Sequence, residues 1–94
     1  MTEIKIQSEY DYLDKYEYNN GIIYYFKKDT GILHNPYGPA ALFKNGTKEY
    51  WIDDKLHRLD GPAKILSNGV EYYYINGVCL SNSKQDFFKN IKKN

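Results

Sequence analysis

A single cysteine, Cys79, in 94 residues leaves no internal disulfide to staple the fold and fits a reducing compartment. Histidine is scarce too. His34 and His57 are the only two, and no His/Cys spacing gathers the three or four ligands that a zinc site needs, so no metal is expected. Neither sign of charge dominates: 13 Lys and Arg against 12 Asp and Glu give a net +1. That balance predicts no strong attraction to nucleic acid or to an anionic membrane. No window approaches the roughly 18 apolar residues of a membrane span. The start, MTEIKIQSEYDY, lacks the basic and apolar regions of a signal peptide, so a soluble, cytoplasmic protein is expected. No phosphate-cradling glycine loop, nucleophile elbow or Ser/His/Asp ordering is present. The chain is therefore expected not to be an enzyme and to carry no cofactor.

Tyrosine, by contrast, is abundant, with 11 residues. Tyr buries area yet keeps a hydroxyl for water or a partner, which suits a thin sheet with wet faces. The second abundance is repetition. Gly38-Pro39-Ala40 recurs 23 residues on as Gly61-Pro62-Ala63, Asn45-Gly46 as Asn68-Gly69, and His34 as His57. Tyr50-Trp51-Ile52 likewise falls on Tyr73-Tyr74-Ile75. A further Asn20-Gly21 lies 25 residues before Asn45-Gly46, the two extra residues falling within 27–31. A fixed period in this range marks a repeat architecture.

The expected fold is mainly β, an antiparallel β-meander of repeated hairpins with a period of about 23 residues, closed by a short C-terminal capping helix. One domain spans 1–94, divided into an N-terminal strand region (1–18), hairpin repeats (19–80) and a helical end (81–94). Asn-Gly predicts two-residue turns, because both positions need positive φ. A two-residue loop at Asn45-Gly46 would set Leu42 against Glu49, and one at Asn68-Gly69 would set Ile65 against Tyr72. One face then collects Phe26, Ala40, Leu42, Trp51, Ala63, Ile65 and Tyr74 as the core. The other collects Tyr16, Tyr25, Phe43, Tyr50, Ile52, Tyr73 and Ile75 as the wetter face. Ser83 with Asp86, then Phe87, Phe88 and Ile91 on one side, predict the helix over about 83–91.

Few residues invite chemistry. His34 and His57 recur with the structural period, so they are expected to serve the unit by hydrogen-bonding loop backbone. Arg58 is expected to pair with Asp60 or to reach a neighbouring carbonyl beside the Gly-Pro-Ala corner. Asp53 and Asp54 fill a turn slot that Asn76-Gly77 fills in the next unit, and Cys79 fills the slot of Leu56, as a small buried hydrophobe. The tyrosine column is the candidate partner-binding surface: Tyr16, Tyr25, Tyr50 and Tyr73, with Arg58 and the corner loops as a rim. A protein partner is expected there. Self-association is the other mode, since residues 1–17 carry five acids and residues 84–94 four lysines. Neither nucleic acid nor membrane is an expected partner. The alternative reading is a small-ligand or nucleotide binder, sponge-like, using the corner loops 34–38 and 57–61.

The run from Trp51 to Ala63 (WxxDKLHRxDGPA) and the following NGxxYYYING (Asn68 to Gly77) resemble MORN-like repeats of the HRxDGPA type found in giant-virus and phage proteins. The likeness covers about residues 19–94. It implies hairpin units in a row, a binding surface, no known catalysis, and a viral accessory protein acting inside an infected host cell.

Overall fold

A computed structural model describes residues 3–81. The predicted helix over about 83–91 lies outside them. Ten strands run in chain order: β1 (Glu3–Ile6), β2 (Leu13–Tyr18), β3 (Ile23–Lys27), β4 (Ala41–Leu42), β5 (Lys48–Glu49), β6 (Trp51–Ile52), β7 (Lys55–Leu56), β8 (Lys64–Ile65), β9 (Glu71–Ile75) and β10 (Val78–Ser81). Eight form one antiparallel sheet in the order β1-β2-β3-β4-β5-β8-β9-β10, while β6 and β7 pair as a separate hairpin. The protein is thus a mainly β meander of hairpins, as the repeat implies.

The 23-residue period is written in the backbone bonds. Tyr25 N–H donates to Ala40 C=O and Tyr50 N–H to Ala63 C=O; Ala40 N–H donates to Glu49 C=O and Ala63 N–H to Tyr72 C=O. Asn35 N–H reaches Trp51 C=O, and Arg58 N–H reaches Tyr74 C=O. Units are therefore sewn to their neighbours by equivalent bonds, which is how a stack of small modules gains cooperativity.

Two kinds of turn alternate along the chain. Asp53-Asp54 (φ 50° and 64°) and Asn76-Gly77 (φ 50° and 83°) are two-residue turns with both central residues left-handed. Asn45-Gly46 is different. Phe43 N–H donates to Thr47 C=O and Gly46 N–H to Phe43 C=O, so the loop holds three residues, Lys44-Asn45-Gly46. Only the glycine is left-handed (φ 97°), and Asn45 Oδ1 accepts the Thr47 N–H at 2.9 Å. The same bonds recur at Asn20-Gly21 and Asn68-Gly69. Asparagine is used here for its side-chain acceptor rather than for positive φ.

The extra loop residue corrects the expected register by one. Leu42 opposes Lys48 and Ile65 opposes Glu71, in place of Glu49 and Tyr72. A one-residue slip moves a strand's side chains to the other face. Ile23 opposes Leu42 and lies two residues from Tyr25, while Glu71 opposes Ile65 and lies two from Tyr73. Leu42 and Ile65 therefore join the tyrosine column, and that column becomes the core. Tyr25 is 3% and Tyr73 1% exposed, with Leu13, Ala40 and Ala63 buried on the same face; Ala41, also buried, opposes Tyr24 on the reverse one. The expectation of a wet tyrosine face is overturned. Trp51, placed in the core from sequence, is only half-buried, its indole N–H donating to Glu49 at 3.0 Å.

A buried tyrosine must still satisfy its hydroxyl. Tyr25 donates to Glu9 at 2.8 Å, with the Lys15 ammonium 5.4 Å above its ring, and Tyr73 donates to Glu71 at 3.2 Å. Asp14, also buried, accepts the Asp29 N–H at 2.9 Å and meets Lys5 at 3.4 Å. The first of these bonds is the main reason its carboxyl sits below the ordinary range. Cys79 is exposed, contrary to the buried slot expected: among the described residues β10 pairs only with β9. Leu56, its equivalent, lies under the next unit's turn.

Replacing Tyr73 with alanine is expected to cost on the order of 3 kcal/mol, the range for removing a buried ring. Urea unfolding measures it, and an unchanged midpoint would place the ring outside the core.

Candidate functional site

The corner that follows each short strand must reverse the chain and deliver a buried alanine, and its proline carbonyl needs a donor. In the first unit Asn35 supplies it, Nδ2 donating to Pro39 C=O at 3.0 Å while Oδ1 accepts the Tyr37 N–H at 2.9 Å. Asn35 is 4% exposed, and both polar atoms of its amide are bonded. In the second unit the equivalent residue is Arg58, whose Nη1 donates to Pro62 C=O at 3.1 Å and whose Nε donates to Asp60 at 3.0 Å. Both bonding modes expected of Arg58 thus occur together. Its guanidinium carbon also stands 4.0 Å over the Tyr50 ring, a cation–π contact. Gly61 makes room for this: a Cβ there would fall 2.9 Å from the guanidinium carbon.

Between the two corners lies an open groove of about 410 Å³, lined among others by Pro36, Tyr37, Tyr50, Ile52, Arg58 and Leu59. Tyr37 is 62% and Leu59 61% exposed, two large apolar side chains standing at the groove. Tyr37 is nonetheless held, its ring stacked on Tyr10 at 4.9 Å and 22°.

The histidines brace the same region from behind. His34 Nδ1 accepts the Asp53 N–H at 3.1 Å and His57 Nδ1 accepts the Asn76 N–H at 2.9 Å. Beside each, the short strand's carbonyl takes the turn's second amide: Asp54 N–H to Leu33 C=O, Gly77 N–H to Leu56 C=O. Each imidazole thus clamps the turn of the next unit, the structural role expected of it. An accepting Nδ1 must be unprotonated. Burial holds the His34 pKa below its ordinary 6.5, with Lys27 adding to the effect and Asp53 opposing it. Asp53 itself pairs with Lys27.

The five residues expected to bind a partner are not brought together. Tyr25 and Tyr73 are core, which removes them from any surface. Tyr16 opposes Tyr24 and so lies on the reverse face, where it packs edge-on to Phe26 at 5.7 Å. Tyr50 and Arg58 alone share the groove. Tyr37 and Leu59 lie in the corner loops 34–38 and 57–61, expected to form the rim, but the repeat pattern does not single them out within those loops. One signal for them exists: their equivalent slots hold Asp60 and Pro36, so no bond of the unit dictates either residue. Among the described residues, no group of three or more His, Cys, Asp or Glu side chains converges to hold a metal ion. No helix among them is long and apolar enough to cross a membrane. Comparison with family models, with curated proteins and with solved structures finds no match.

Two outcomes test this geometry. A histidine whose folded pKa is lowered stabilises the fold fully above the unfolded value and loses that contribution as pH falls through the folded one. Thermal stability is therefore expected to decline below about pH 6.5, more steeply in the wild type than in His34→Ala. Parallel profiles would remove the clamp. Gly61→Ala, forced against the guanidinium, is expected to cost about 1 kcal/mol. Gly38→Ala, whose Cβ would meet nothing within 4 Å, should be near neutral; equal urea midpoints would deny the Arg58 contact.

Proposed function

We propose that the chain is a non-catalytic protein-interaction module whose partner seats in the groove between the corner loops. The observation that carries this reading is the exposure of Tyr37 and Leu59, at 62% and 61%, over a groove floored by Tyr50 and Arg58. Exposed apolar groups set among polar ones mark interaction surfaces, and Tyr and Arg are the side chains that most often anchor them. The unit does not require either group, since its other copy folds the same corner with Pro36 and Asp60 in those slots. Rings already fixed by stacking lose little freedom on binding, as Tyr37 is by Tyr10.

A protein segment suits this groove better than a small ligand or nucleotide. Small ligands bury most of their surface in concave sites, whereas Tyr37 and Leu59 project from an open one. The resemblance to MORN-like repeats supports binding over catalysis. It also supports an accessory role for a virus or phage in the host cytoplasm.

The test is capture from host lysate by the immobilised chain, comparing wild type, the double variant Tyr37→Ser with Leu59→Ser, and a reverse-face control, Tyr16→Ser. The groove variant is expected to lose at least about 90% of the captured partner at an unchanged melting temperature, since such surface changes cost little stability. The control should retain it. Loss by the control with retention by the groove variant would move the surface to the other face.

A further inference from the structure

We infer that the groove recognises a carboxylate, presented by an acidic side chain of an extended partner segment, through the outer edge of the Arg58 guanidinium. This rests on the groove being the partner site. The argument begins with what the fold asks of position 58. The corner needs one donor to the proline carbonyl, and in the first unit the smaller Asn35 amide meets that need. Arg58 does the same work with a larger group. A guanidinium has five N–H donors, and only Nε, to Asp60, and one of Nη1, to Pro62, are engaged among the described residues. Three are surplus to the fold.

Those three are also within reach. The Gly61 backbone backs the guanidinium, where a Cβ would lie 2.9 Å from its carbon and 3.2 Å from Nε and Nη1. Arg58 lines the groove and keeps 26% of its side chain exposed, and Nη2 makes no hydrogen bond among the described residues. The free Nη1 and Nη2 hydrogens form the end-on fork that matches the two oxygens of a carboxylate. Stacking on Tyr50 and two hydrogen bonds fix the fork in advance, so binding costs little further side-chain freedom. The groove's other charge, Asp60, is 85% exposed, where water screens its pull on the guanidinium. Ile52, Leu59 and Pro36 offer apolar contact beside the fork, so the carboxylate is flanked by apolar residues of the same segment.

The protein supplies its own test variant. Arg58→Asn installs the first unit's solution, which keeps the proline carbonyl bonded and removes the fork. The probes are a short blocked peptide with one glutamate between leucines, and its glutamine counterpart, titrated into the full chain by calorimetry at constant ionic strength. The glutamate peptide is expected to bind the wild type about tenfold or more tighter than the glutamine peptide, the range for a charged hydrogen bond. Arg58→Asn should abolish that preference with its melting temperature held. Asp60→Asn, which frees the guanidinium from its competitor, should strengthen glutamate binding severalfold.

Equal binding of the two peptides, or an undiminished preference in Arg58→Asn, overturns the proposal. So does competition by inorganic phosphate at far lower concentration than propionate, which would assign the fork to phosphate. Should Tyr37→Ser with Leu59→Ser abolish partner capture while Arg58→Asn leaves it intact, the groove stands and the carboxylate falls. If both variants capture normally, the groove itself is wrong.

Discussion

The three-residue Asn-Gly loop is the constraint on which the arrangement of this molecule depends. Its glycine turns left-handed while the asparagine side chain accepts the amide two residues on, and the same construction closes three hairpins. One residue more or fewer would exchange the faces on which Leu42 and Ile65 lie. With three, both aliphatic side chains fall beside Tyr25 and Tyr73, and the tyrosines become the core of a thin sheet. Their hydroxyls find carboxylates in Glu9 and Glu71, so apolar burial and polar satisfaction coexist in one ring. Every buried side-chain nitrogen and oxygen among the described residues has a partner.

Coupling between units has a different physical basis. A two-residue turn with both φ positive leaves two amides in need of acceptors, and each is met from the preceding unit by a strand carbonyl and a histidine Nδ1. Among the described residues the last unit has no such neighbour, and there Val78 is 60% exposed and Cys79 is exposed.

Much of this was legible in the sequence, and the limits have physical reasons. The 23-residue spacing of Gly-Pro-Ala, Asn-Gly and His announced the repeat, because each recurs where the backbone makes the same bond. The structural service of the histidines followed from their place beside the corner, as did the two alternative bonds of Arg58, which the structure shows together. The facial assignment did not follow, because Asn-Gly serves two loop lengths and the dipeptide alone does not distinguish them. Asparagine as an acceptor and asparagine as a left-handed residue look identical in a sequence. Thr47, Ile22 and Val70, whose amides Asn45, Asn20 and Asn68 accept, carry no signature that would have settled it. The corner loops were named from sequence, but Tyr37 and Leu59 did not stand out within them, for the opposite reason. Tyr37 and Leu59 occupy slots that differ between units, and a search for repetition passes over what does not repeat.

Recurring and non-recurring positions then lie in different places. Residues that recur hold the sheet together; those that interrupt the recurrence at the corners face outward around Arg58. The most direct test of this account is the set of scalar couplings transmitted through backbone hydrogen bonds, measured by NMR on labelled protein. A three-residue loop places couplings from the Phe43 amide to the Thr47 carbonyl and from the Leu66 amide to the Val70 carbonyl. Couplings from the Lys44 and Ser67 amides instead would establish two-residue loops, turn the tyrosines outward and contradict the core described above.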